Sequence, residues 1–140
     1  MRELLATNKT LVLSTSASDR PWIAGVYFAE SDPFHLTLIL ETAGRSLANI
    51  RVNPNVAVTV SLRSPFELYL QGEGDAEVLD TDAQLAAAKD AVQAKAPEIE
   101  LLKFQAVAVR LTIRHWRATD VMIGWRPGKE LLPPTRPSPN

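Results

Sequence analysis

Cysteine is absent from the 140 residues, which excludes a disulfide framework, a thiolate metal site and a cysteine nucleophile. No apolar run exceeds strand length, and the start, Met1-Arg2-Glu3, is polar. The sequence therefore offers neither a membrane-spanning segment nor a secretory signal, and a soluble, cytoplasmic protein is expected. A surplus of either charge is also missing: 15 Lys+Arg against 16 Asp+Glu leave a formal charge of −1. That balance gives no electrostatic ground for general binding to nucleic acid or to an anionic membrane. Histidine is nearly absent, with only His35 and His115. Without cysteine or a nearby carboxylate cluster, two distant histidines do not make a metal site, and none is expected.

What is present is apolar substance: 46% of the chain, enough for a conventional core. A chain of this length reads as one domain burying roughly two-thirds of its unfolded surface. Charge is uneven along it. Residues 64–100 hold nine acidic and two basic residues, whereas 101–140 hold seven basic and two acidic. Two solvated surfaces account for this, and a basic part facing an anionic ligand or a second copy is the other reading.

The first half alternates like a β-meander. Thr10–Ala17 is rich in β-branched residues and ends in the turn signal Ser18-Asp19, and Pro21–Ala29 follows at hairpin distance. Phe34–Glu41 is apolar on both faces, which suits a strand covered by its core on one side and by a partner or ligand on the other. At Arg45–Asn53 the period changes: Leu47 and Ile50 lie three apart and Pro54 ends the run, predicting a short helix. Asn55–Arg63 returns to strand alternation, and Phe66–Leu79 reads as a long strand bent or bulged around Gly72 and Gly74. Thr81 and Gln84 have capping-box spacing before an alanine-rich helix reaching Lys95. Phe104–Trp116 is the last long strand, with a shorter β-segment at Ala118–Trp125 pairing back onto it. Leu131–Asn140 carries four of the ten prolines and reads as an extended tail. The expectation is a mainly β fold: a six- to seven-stranded antiparallel barrel with a short helix after the third strand and a longer one before the last long strand. Residues 1–130 would form the domain and 131–140 the tail.

Chemistry-bearing motifs are few. No serine has a G-x-S-x-G elbow, and Gly72-Glu73-Gly74 lacks the third glycine and βαβ context of a dinucleotide fingerprint. The strongest local signal is Glu41–Val56. There a strand ends, Gly44 permits a tight turn, and a helix opens with Arg45 and Ser46 at its mouth. Free amides, an arginine fork and a hydroxyl together suit a phosphate monoester; an ordinary turn with a surface arginine is the alternative.

The order RPWIAGVYF, LTLILETAGRSLANIRVNPNVAVTV, GDAEVL, a helix and VRLTIRHW resembles the pyridoxamine 5′-phosphate oxidase-like, FMN-binding split β-barrel superfamily. Its most specific piece is the pattern formed by Arg45, Asn49, Ile50, Asn53, Pro54 and Val56. The resemblance implies a homodimer with FMN at the subunit interface and its phosphate at Gly44, Arg45 and Ser46. It further implies that Ile23, Ala24, Gly25, Val26, Ile39 and Leu40 flank the ring, that Trp116 packs beside it, and that Arg126 can reach its edge. A small-molecule redox substrate would complete the reaction, with no general acid or base identified. The sequence departs from the family's Ser-Arg-Lys turn: Gly44 stands at the serine position and Ser46 at the lysine position. The missing ammonium removes a contact of about 1.5–3 kcal/mol, one to two decades in affinity. A deazaflavin or a haem, the latter with His35 or His115 as axial ligand, therefore remains an alternative. So do a non-catalytic binding module and a ligand-free dimer. The pyridoxamine phosphate oxidase activity itself is not implied, because the basic residues for that substrate's phosphate are missing.

Overall fold

The computed structural model describes residues 1–98 and 105–134, with the backbone alone at 125–127. The elements run α1 (Arg2–Thr7), β1 (Thr10–Ala17), β2 (Arg20–Asp32), β3 (His35–Glu41), α2 (Arg45–Val52), β4 (Asn55–Val60), β5 (Tyr69–Leu79), α3 (Asp82–Lys95), β6 (Ala106–Asp120) and β7 (Trp125–Leu131). All strand pairs are antiparallel in the order β3-β2-β1-β4-β5-β6-β7, and an additional β3–β6 pairing closes six strands into a barrel, with β7 outside the closure. Closure removes the exposed edges that an open sheet would have to protect.

Local chemistry sets the corners. Ser18 and Asp19 both take positive φ, 52° and 61°, the geometry of a two-residue hairpin turn whose twist matches its strands. The long β5–β6 ladder slips at Glu73/Gly74, where the bulge lets β6 leave β3 after Thr112 and take β7 from Trp116 onward. Thr81 and Gln84 form the reciprocal capping box that opens α3.

Two apolar clusters result. Inside the barrel, Leu13, Phe28, Leu36, Leu38, Leu70, Leu111, Ile113 and Trp116 interdigitate, and α2 closes one end with Leu47 and Ile50. Outside it, Ala88 and Val92 of α3 cover Ala29, Ile39, Leu79 and Ala108. The second apolar face of β3, read above as waiting for a partner or ligand, is thus largely satisfied by α3. Lys95 clasps the assembly: its Nζ donates to the Leu5 carbonyl at 2.7 Å and to Glu30 Oε2 at 2.6 Å, and lies 3.6 Å from the Phe28 ring centroid. Burial lowers the Lys95 pKa, and Glu30 opposes that shift.

Two expectations need correcting. Ala118–Trp125 is not a separate strand: β6 continues to Asp120, a 3₁₀ turn occupies Val121–Ile123, and the strand that pairs back is Trp125–Leu131. The sequence reading also gave no helix at Arg2–Thr7, which buries Leu5 against the core. Phe104, the expected start of the last strand, and residues 135–140 of the tail lie outside the described residues. Among the described residues no helix is long and apolar enough to cross a membrane.

Candidate functional site

The end of β3 is the place where backbone donors are left free. Gly44 N donates to the Glu41 carbonyl at 3.0 Å, closing a tight turn, and Thr42 N is held by the Gln105 carbonyl at 2.9 Å. A Cβ on Gly44 would stand 3.2 Å from that same Glu41 carbonyl oxygen, so the turn favours glycine. Gly44 is the N-cap of α2 and supplies no side-chain cap; the first intrahelical bond reaches it from Ala48 N. The first-turn amides, from Arg45 to Leu47, are therefore available to an anion, at the end of the helix where the peptide dipoles present partial positive charge.

The family-like residues downstream fix this turn in place. Asn49 is buried and its Nδ2 donates to the buried Thr15 Oγ1 at 3.0 Å, tying α2 to β1. Asn53 Oδ1 accepts from Asn55 N at 3.1 Å, and the Pro54 carbonyl accepts from Ala76 N at 2.8 Å, tying the helix exit to β4 and β5. Leu47 and Ile50 anchor the buried face. Asn49→Leu leaves the Thr15 hydroxyl buried without its donor, and a loss of about 2 kcal/mol in urea unfolding is expected.

Around the turn lies a cleft of about 450 Å³, bounded by Trp22 and residues 24–27 of β2, Ile39–Glu41 of β3, and Gly44–Ser46. Its size is ordinary for a cofactor site. Of the residues singled out in the sequence, the structure brings Ala24, Gly25, Val26, Ile39, Leu40, Gly44, Arg45 and Ser46 to this one cleft. Ile39 belongs to both the cleft wall and the cluster under α3. Arg45 is exposed, and its guanidinium carbon lies 4.5 Å from the centroid of the Trp22 ring.

Two of the residues singled out stand apart, and the side chain of a third is outside the described residues. Ile23, out of phase with Ala24 and Val26 on β2, is 66% exposed and does not line the cleft. Trp116 does not line the cleft: it is fully buried in the barrel, its Nε1 donating to the Pro33 carbonyl at 2.7 Å and its ring packed over Gly72. Its position on β6 places it among the core residues of the barrel. Arg126 lies on the β7 backbone, and its side chain is outside the described residues. The sequence reading missed Trp22, Tyr27 and Glu41. Trp22 was findable from its two-residue spacing to Ala24 and Val26 on a strand.

Neither histidine borders the cleft. His35 Nδ1 pairs with Asp32 Oδ2 at 2.7 Å, and His115 Nε2 pairs with Glu73. Burial would raise the Asp32 carboxyl, but the Phe34 amide and His35 outweigh it and hold it below the usual value. The hydrogen bond from His115 lowers Glu73. Among the described residues no group of three His, Asp or Glu could hold a metal ion.

The cleft fits a flavin phosphate at one end and an apolar body at the other. Its uncapped helix mouth and Arg45 form an anion cradle, while Ala24, Val26, Ile39 and Leu40 line an apolar wall. Comparison with known proteins agrees in fold. The chain superposes on General Stress Protein 26 from Bacillus anthracis with a TM-score of 0.69 at 20% identity, covering 94% of each chain. A protein from Mesorhizobium loti described as FAD-binding gives a TM-score of 0.65 at 23% identity, covering 84% of this chain and 89% of that one. HutZ of Vibrio cholerae, described as a heme storage protein, gives 0.66 at 21% identity, covering 80% and 86% respectively. No curated protein matches the sequence. The family model for pyridoxamine 5′-phosphate oxidase matches residues 1–120. On that match, which spans the whole barrel and its cleft, the chain belongs to the pyridoxamine 5′-phosphate oxidase family.

Proposed function

We propose that this protein is an FMN-dependent oxidoreductase of a small-molecule substrate, working as a homodimer with the flavin in the β2–β3–α2 cleft. The observation that carries the reading is the coincidence of an uncapped helix start, an arginine with no carboxylate partner among the described residues and an apolar strand wall in one cleft. FMN, when bound, would supply hydride or electron transfer. This chain's residues bind and orient. Arg45 and the amides at the α2 mouth hold the phosphate. Val26, Ile39 and Leu40 exclude water from one side of the ring.

The other side is open, and a second copy is the reading for what closes it. Val12 and Tyr27, from the paired strands β1 and β2, and Leu62 after β4 are 40%, 39% and 51% exposed. They border a second hollow of about 580 Å³ that shares Gly25, Val26 and Tyr27 with the cleft. A dimer burying well over about 2,000 Å² is expected. Sedimentation should find dimers at micromolar concentration, and a stable monomer there would contradict this part of the proposal.

His35 and His115, both engaged by carboxylates and neither lining the cleft, give no support to an axial haem ligand in this site. The test is the absorption spectrum of protein purified without added cofactor, with the released molecule identified by mass. A flavin spectrum and FMN mass support the reading. A Soret band or a deazaflavin mass would replace it with one of the other cofactors.

A further inference from the structure

We infer that Trp22 is a positioning residue for the anion anchor: its indole holds the Arg45 guanidinium at the cleft while leaving every N–H donor free. The inference rests on the flavin reading of this cleft and extends it to a residue outside the Arg45–Val56 pattern, to which the resemblance assigns no role. Three arginines on this molecule rest against carboxylates, Arg51 against Asp80 at 3.5 Å, Arg110 against Glu77 at 3.8 Å and Arg114 against Asp75 at 2.6 Å, whereas Arg2, Arg20 and Arg63 make no ion pair among the described residues and do not border the cleft. Arg45 borders it and rests on no carboxylate among the described residues, although Glu41 borders the same cleft; its contact is the Trp22 ring at 4.5 Å.

The difference matters chemically. A carboxylate would occupy one edge of the guanidinium fork and cancel its charge. An aromatic ring touches the flat face, takes none of the five in-plane donors and leaves the charge intact. The side chain is thereby oriented before an anion arrives, which reduces the ordering cost of binding. Among the described residues Arg45 is the one cation lining the cleft, so its orientation decides how strongly a phosphate is held.

The frame between platform and anchor is fixed. Trp22 lies opposite Thr15 in the β1–β2 register. Thr15 accepts the Asn49 amide, and Asn49 sits one helical turn beyond Arg45. A tryptophan left 41% exposed on a strand thus has a task that its burial alone does not explain.

The test titrates FMN and riboflavin into the wild type, Trp22→Leu, Trp22→Phe, Arg45→Ala and the Trp22→Leu/Arg45→Ala double variant, each first checked by thermal melting. Trp22→Leu should weaken FMN about tenfold, and Trp22→Phe less than about threefold, because the smaller ring still stacks. Riboflavin, which lacks the phosphate, should bind Trp22→Leu and wild type alike. Trp22→Leu should add nothing once Arg45 is gone. Unchanged FMN affinity in Trp22→Leu overturns the inference. An equal loss for riboflavin, or a further loss in the Arg45→Ala background, also overturns it, because Trp22 would then contact the flavin itself. Should Trp22→Leu not fold, Trp22→Gln carries the same comparison. A wild type that binds no FMN overturns the flavin reading and this inference with it; a wild type that binds FMN while Trp22→Leu binds equally well overturns the inference alone.

Discussion

Arg45→Ala is expected to weaken FMN binding by one to two decades while leaving the melting temperature within a degree or two. The affinity figure follows from a charge-assisted phosphate contact worth about 1.5–3 kcal/mol. The unchanged stability follows from the surroundings of the side chain. Arg45 is exposed, and its contact is the face of Trp22 rather than a buried carboxylate, so truncation strands no charge in the core. The residues that hold α2 in place are others: Leu47, Asn49 and Ile50 are buried, and Asn49 reaches Thr15. Flavin fluorescence titration reads the affinity and calorimetry the melting temperature. Arg45→Lys separates charge from shape. It keeps a cation but loses the fork and the stacked plane, so its affinity should fall between wild type and alanine. A large drop in melting temperature for Arg45→Ala would place the arginine in the scaffold instead of the site.

Gly74→Ala should produce the largest loss of stability, about 3 kcal/mol, seen as a melting temperature lower by roughly 10 °C. A Cβ at Gly74 would stand 2.0 Å from the Thr112 carbonyl oxygen and 2.9 Å from Ile113 Cα. These are backbone atoms of the neighbouring strand, so no rotamer change relieves the clash. Gly74 also sits at the β5–β6 slip, and that slip turns β6 from β3 toward β7. Either the ladder opens or the barrel loses its closure at that corner. Gly25→Ala is the control. It lies in a strand as well, but nothing comes within 4 Å of a Cβ there, so its effect on stability should be small. Equal stability of the Gly74 variant and wild type would mean that the bulge does not set the β6 path.

Much of this architecture could be read from residue patterns, because each signal was local. Thr10–Ala17 was bounded by a turn whose two residues had to take positive φ. The Thr81/Gln84 capping box required only three-residue spacing, and Pro54 had to end α2. The misreadings arose where the outcome depended on distant packing. Phe34–Glu41 showed two apolar faces, but nothing local revealed that α3, some 40 residues later, would cover one of them. The resemblance implied a place for Trp116 beside the ring, and the structure shows it buried in the barrel. Its inward orientation depends on the β5–β6 bulge and on a glycine at position 72 with space for an indole. The β6–β7 turn was misplaced because Asp120 caps a 3₁₀ turn through Met122 N, which the apolar run Val121-Met122-Ile123 disguised as strand.

The candidate site was legible for the opposite reason. Gly44, Arg45 and Ser46 are contiguous, so strand end, turn and helix mouth had to be neighbours. The place of Trp22 on the cleft wall could be read from its two-residue spacing to Ala24 and Val26, but its contact with Arg45 could not, because a cation–π contact joins residues 23 positions apart in sequence and leaves no periodic trace. The asparagines and proline of the Arg45–Val56 pattern are structural ties: each bonds backbone or a buried hydroxyl, and none lines the cleft.

The most direct measurement of the phosphate cradle is the ratio of FMN to riboflavin affinity in the unmodified protein, taken at low and high salt. A helix mouth and one unpaired guanidinium aimed at a phosphate predict FMN binding about 100-fold tighter than riboflavin at low salt, the preference shrinking as salt screens the charge. Equal affinities for the two at both salt concentrations would contradict the account, because the turn at Gly44–Ser46 would then hold no anion.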